Sequence, residues 1–156
     1  MEKLNKRKKI RIHKDCYKVE AKPCFITICT ENKQKIFTNP KFTKEINTFL
    51  INYFTENKNP LYAYCIMPDH IHFLSSATAK KSIVDIVREF KSLSTRIAWK
   101  HNFNGKIWQR SFYDHFLRKE EIIEKVGMYI LNNPVRAGLV AAWDDYRWSG
   151  SLEFSF

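Results

Sequence analysis

Leu61-Tyr62-Ala63-Tyr64-Cys65-Ile66-Met67-Pro68-Asp69-His70-Ile71-His72-Phe73-Leu74-Ser75 is the segment from which the architecture of this chain can be read. Two apolar, β-prone runs, Leu61 to Met67 and Ile71 to Ser75, flank Pro68-Asp69 and read as two strands joined by a turn. Pro68 cannot donate to a ladder and suits the connection. Side chains at i and i+2 of a strand share a face about 6.8 Å apart. His70 and His72 therefore point the same way, and apolar Ile71 points into the opposite layer. Two imidazoles at that spacing can lean in on one divalent ion. Histidine is also a common polar filler, and the pair alone leaves both roles open.

The flanking sequence supplies the other layers. Pro23 to Thr30 (Pro-Cys-Phe-Ile-Thr-Ile-Cys-Thr) is rich in apolar and β-branched residues and reads as a central strand. After a turn at Asn39-Pro40, Phe42, Ile46, Phe49, Leu50, Tyr53 and Phe54 fall at helical spacing. A second helix begins at Ser82, with Asp85 completing a capping-box signature. Its expected buried stripe is Ile83, Val87, Phe90, Leu93 and Ile97. Arg88, Lys91, Ser92 and Thr95 lie on its other side, facing either solvent or phosphate. Tyr113 to Leu117 is a short candidate strand. Lys119 to Leu131 is a third expected helix with Ile122, Ile123, Val126 and Ile130 inward, stopped by Pro134. This order implies an α+β fold: a ferredoxin-like or RRM-like plait, an antiparallel sheet with helices packed on one face.

Composition bounds the partners more than the fold. The chain has 156 residues, 44% hydrophobic, with only 4 Gly and 5 Pro, which suits one ordered domain. The formal net charge of +11 points to a polyanion. Residues 1–22 carry nine Lys or Arg against three Asp or Glu, and this basic N-terminal arm precedes a single domain over 23–150. The arm is either solvated or in contact with nucleic acid. Cys24, Cys29 and Cys65 lie in apolar runs, Cys16 lies in the arm, and no Cys-x-x-Cys pair occurs. With neither a secretory signal nor a window of membrane-span length, a reduced, cytoplasmic, soluble protein is expected, with no membrane partner.

Tyr129 and Asn133 stand four residues apart on the last helix, on one face. A tyrosine beside an apolar stripe can be plain core, and Asn133 before Pro134 can be a plain cap.

Three motifs in order resemble the single-tyrosine HUH transposases, closest to their REP-associated tyrosine transposase branch. They are Met67-Pro68-Asp69-His70-Ile71-His72, then Trp108-Gln109-Arg110-Ser111-Phe112-Tyr113-Asp114-His115, then Tyr129-Ile130-Leu131-Asn132-Asn133-Pro134-Val135-Arg136-Ala137-Gly138-Leu139-Val140. The likeness runs from about Cys24 to Trp148. It implies that His70 and His72 are metal ligands, Asn133 a third ligand and Tyr129 the nucleophile. Asp69 replaces a common Asn in the turn and adds a carboxylate near the ion. The role of His115 stays open, with orientation of a neighbour by hydrogen bond ahead of metal ligation. The implied activity is a metal-dependent (magnesium or manganese) transposase and nickase that cleaves and rejoins single-stranded DNA near hairpins through a 5′-phosphotyrosine intermediate. A homodimer and delivery of the tyrosine from a partner are both compatible with it. Lys6, Arg7, Lys8, Lys9, Arg11, Arg88, Lys91, Arg110 and Arg136 are the candidate DNA contacts. Aromatic residues, 15% of the chain, offer stacking platforms for unpaired bases.

Two alternatives accompany it. One is a non-catalytic basic nucleic-acid-binding module of the same fold. The other is a structural zinc protein using His70, His72 and a cysteine. For the latter Cys65 is nearest, but is expected on the opposite face of the sheet.

Overall fold

The computed structural model describes residues 21–156. Lys6, Arg7, Lys8, Lys9, Arg11 and nearly all of the basic arm lie outside them. The described chain forms strands β1 (Pro23–Cys29), β2 (Leu61–Met67), β3 (His70–Ser76), β4 (Tyr113–Phe116) and β5 (Ser149–Gly150). Its helices are α1 (Pro40–Glu56), α2 (Ile83–Lys100), α3 (Ile123–Leu131) and α4 (Asn133–Arg136). The sheet order is β4-β1-β3-β2-β5, with all pairs antiparallel. The β1-α1-β2 and β3-α2-β4 units each join parallel strands with one strand between them, so the expected α+β plait is present.

Local signals explain the elements. Asn39 accepts hydrogen bonds from the Lys41 and Phe42 amides at 3.1 and 3.2 Å, and Pro40 opens α1 where its missing N–H costs nothing. Ser82 and Asp85 cap α2 reciprocally. The stripe that α2 buries is Ile83, Ile86, Val87, Phe90, Ser94 and Ala98, while Leu93 is 39% exposed. At about 3.6 residues per turn Ser94 stands about 20° from the line of Ile83 and Leu93 about 80° from it, so Ser94 takes the buried place. The Ser94 hydroxyl stays paired there, donating to Phe90 O and accepting from Trp108 Nε1.

One feature of the expected plait needs correcting: the helices are not confined to one face. α1 and α2 cover the face of Ile26, Ile28, Ile66, Ile71 and Phe73. Ile130 of α3, with Ile123 and Val126, packs on the other, against Ala63, Cys65, Met67 and Leu74. Right-handed crossovers hold α1 and α2 to one side. α3 lies in the connection from β4 to β5, a parallel strand at the opposite edge. β4 runs opposite to β1, but this connection crosses the sheet in the same lateral direction as β1-α1-β2, so the same right-handed rule puts α3 on the second face.

α3 also begins later than expected. Glu121 accepts from the Arg118 amide at 2.6 Å and closes a turn, leaving Ile122 half exposed at the helix start rather than inward. Its end is explained by Pro134, which cannot donate to the Ile130 carbonyl one turn back. The Asn133 side-chain amide makes that bond instead, at 3.1 Å, and the chain continues into α4.

Phe73 is fully buried between Phe54 and Phe90, at ring-centroid distances of 5.5 and 6.2 Å. Phe73→Ala is expected to lower stability by about 3–5 kcal/mol, read from urea unfolding at unchanged m-value.

Candidate active site

Alternation along β3 sends His70 and His72 to the face that α3 covers. Both rings are oriented from behind. Thr27, opposite His72 in the β1–β3 register, places its hydroxyl 2.8 Å from Nδ1. The Asp69 carboxylate lies 2.5 Å from His70 Nδ1. A carboxylate accepts, so His70 Nδ1 is the donor in this bond and Nε2 is the ring nitrogen turned towards His72. Partners at the remote ring nitrogen are what fix metal-ligating imidazoles. The two Nε2 atoms face each other at 3.0 Å. That is about the edge of an octahedron with ~2.1 Å metal–ligand bonds. Burial, then the neighbouring His70 and Arg136, push the His72 pKa down to about 3 against the opposing effect of Asp69. His72 is thus neutral, the form that ligates. The pair has the spacing and orientation to hold a divalent cation through its two Nε2 atoms. Among the described residues no group of three His, Cys, Asp or Glu side chains is placed to hold a metal ion. Further donors would have to be amide, water or substrate oxygens.

Cys65 does not lie where expected. It pairs directly with His72, so it shares the imidazole face. The two-residue turn between Met67 and His70 sets this parity. Its thiol is fully buried 3.7 Å from Met67 Sδ, and burial pushes its pKa up to about 12. Among the described residues no cysteine completes a three-ligand group with the two imidazoles, which leaves a structural zinc site without support.

Tyr129 is 55% exposed, on a helix anchored by buried Ile130 and Leu131. Phe25 connects it to the imidazoles: its ring centroid is 6.4 Å from that of Tyr129 and 5.3 Å from that of His72. The Arg136 guanidinium lies 3.9 Å over the Tyr129 ring. It donates to the Tyr129 carbonyl at 2.8 Å and to Asn133 Oδ1 at 3.0 Å. The same guanidinium therefore orients the tyrosine ring and occupies the amide oxygen of Asn133.

The remaining basic residues divide between layers. Arg88 and Lys91 ride on α2, across the sheet from the imidazoles. Arg88 pairs with Asp85 at 2.6 Å. The Lys91 ammonium donates to the carbonyls of Gln109 and Ser111, and burial pulls its pKa down to about 8. It therefore ties down the loop before β4. Arg110, in that loop, is exposed. His115 bonds both Glu121 oxygens at 3.0 Å, a neighbour-orienting role rather than contact with the imidazole pair.

Phe25 and Thr27 escaped the sequence reading. The signal was present: they alternate with buried Cys24, Ile26 and Ile28, which marks them as the second face of β1.

Residues 4–133 match the family of IS200-like transposases, a span that begins inside the basic arm. A Haemophilus influenzae protein named as a REP-associated tyrosine transposase is 30% identical over 139 residues, covering 80% of this chain and 77% of its own. A second protein of that organism, without an assigned function, is 27% identical over 163 residues, covering 85% and 90%. The fold is shared with a REP-associated tyrosine transposase solved bound to a REP hairpin, at TM-score 0.68, 20% identity and coverage of 85% and 78%. A Deinococcus radiodurans protein named as a transposase aligns at TM-score 0.53 and 24% identity over 70% and 88%. No helix of the described residues is long and apolar enough to cross a membrane. By the family match over residues 4–133, this chain belongs to the IS200-like transposases.

Proposed function

We propose that this transposase cleaves and rejoins single-stranded DNA beside hairpins, with Tyr129 as nucleophile and His70 and His72 as ligands of magnesium or manganese. One observation carries it: within a single chain, the Tyr129 ring and an imidazole of the pair meet the same Phe25 ring on one sheet face.

Tyr129 Oη attacks the scissile phosphorus. The new O–P bond forms as the bond to the 3′ oxygen breaks. The 5′-phosphate stays on the protein, and the other strand leaves with a 3′-OH. Attack by a 3′-OH on the phosphotyrosine reverses the step without ATP. Phe25 and Arg136 hold the ring of this half-exposed tyrosine. A bound divalent cation supplies Lewis-acid polarisation of the phosphate and neutralises its charge. Nitrogen and oxygen donors suit manganese well. Asn133 is the proposed third ligand; its Oδ1 accepts from Arg136, so ligation asks that hydrogen bond to open. The net charge of +11 and the hairpin bound by a solved relative support the substrate class.

The test is incubation with labelled hairpin oligonucleotides bearing single-stranded flanks, with magnesium or manganese. A protein–DNA adduct stable to detergent is expected. Tight binding with no adduct, indifferent to chelator, would instead establish a non-catalytic DNA-binding module.

Thr27→Val keeps the side-chain shape and removes the hydroxyl that orients His72. Manganese affinity is expected to weaken by about 10–100-fold in titration calorimetry. Unaltered affinity would show that Thr27 is not a supporting partner of a metal ligand.

A further inference from the structure

Between β4 and α3 lies a cleft of about 410 Å3 that the steps above leave unused. Phe25 and His115, opposite one another in the β1–β4 register, form one wall. Ile122, Val126 and Tyr129, at i, i+4 and i+7, form the other. One end is polar and already built: the Glu121 carboxylate holds His115 Nε2 through both oxygens and accepts from the Arg118 amide. The other end is the nucleophile. Ile122, 50% exposed, extends the apolar strip to the mouth instead of entering the core.

The geometry points to a nucleobase pocket: the cleft takes the unpaired base of the nucleotide whose 5′-phosphate Tyr129 captures. This rests on Tyr129 being the nucleophile and adds the substrate group that its surroundings recognise. Of the two nucleotides that flank the cleaved bond, only this one remains joined to Tyr129. Its base is therefore tethered one sugar away from the ring that lines the cleft. The Phe25 ring and the aliphatic strip accept the flat face of any base. The His115–Glu121 end presents hydrogen-bonding atoms to a base edge, which discriminates among bases. The pocket holds the covalently retained strand while the freed 3′-OH end is exchanged.

The full chain is incubated with manganese and a pool of hairpin oligonucleotides whose single-stranded flanks are randomised. Covalent adducts are isolated under denaturing conditions and sequenced. A base preference of about tenfold is expected at the retained nucleotide. It should fall below about twofold in Ile122→Trp, which fills the cleft from an exposed position, and in His115→Ala. Preferences at other flank positions persist and report that both variants fold. An abasic residue at the retained nucleotide of the selected sequence should slow adduct formation by the parent protein about tenfold, a measurement that needs no variant. Adducts that depend on Tyr129 but show no preference there, or a preference unmoved in both variants, overturn the pocket and leave the nucleophile standing. Failure of every oligonucleotide to form an adduct overturns the proposed function and the pocket with it.

Discussion

Tyr129→Phe will bind hairpin DNA as the parent does and will form no covalent adduct, with strand cleavage reduced by about a thousandfold or more. The substitution removes one atom. Phenylalanine keeps the edge contact with Phe25 and the guanidinium of Arg136 over the ring. The site is exposed, so unfolding free energy should move by less than ~0.5 kcal/mol. Loss of adduct with stability preserved then isolates the nucleophile from the scaffold. Persistence of the adduct would transfer the role to another tyrosine. Exposed Tyr113, whose ring lies 6.2 Å from Phe25, would be the first to test.

His70→Ala and His72→Ala are each expected to reduce cleavage by about a thousandfold, the effect of losing several kcal/mol of charge stabilisation. DNA affinity should stay within about threefold, because the phosphate-neutralising charge of the chain lies in its Lys and Arg side chains, which both variants keep. The two variants differ in stability. His72→Ala leaves the Thr27 hydroxyl without its ring partner and should cost about 1 kcal/mol. His70→Ala frees an Asp69 carboxylate that already meets water, its side chain 25% exposed, and should cost less. Chelation of the parent protein should reproduce the loss of cleavage and be reversed by added manganese. Cleavage at parental rates in both variants would remove the pair from the chemistry.

Much of this arrangement was legible in the residues. The β2–β3 hairpin follows from two β-prone runs about Pro68-Asp69, and the shared face of His70 and His72 from strand alternation. The caps of α1 and α2 were equally readable, since Asn39-Pro40 and Ser82 with Asp85 are local chemistry. What escaped was decided by non-local geometry. Amphipathicity says that α3 buries Ile123, Val126 and Ile130, but not which face of the sheet receives them. Cys65 shows how a turn sets parity. With only Pro68 and Asp69 between the strands, it falls opposite His72, a relation that alternation along one strand does not reveal. The Asn133 side chain had two open roles in the sequence, cap or ligand. The structure gives it a third: it replaces the hydrogen bond that Pro134 cannot make.

The two covered faces of the sheet have a mechanical consequence. Arg88 belongs to the α2 layer and the imidazoles to the α3 layer. Any polynucleotide touching both must turn over a rim of the domain within a few nanometres. Duplex DNA, with a persistence length of about 50 nm, resists so tight a detour. An unpaired strand makes it at little elastic cost, so a polynucleotide that reached both layers would be melted, not double-helical, along that stretch.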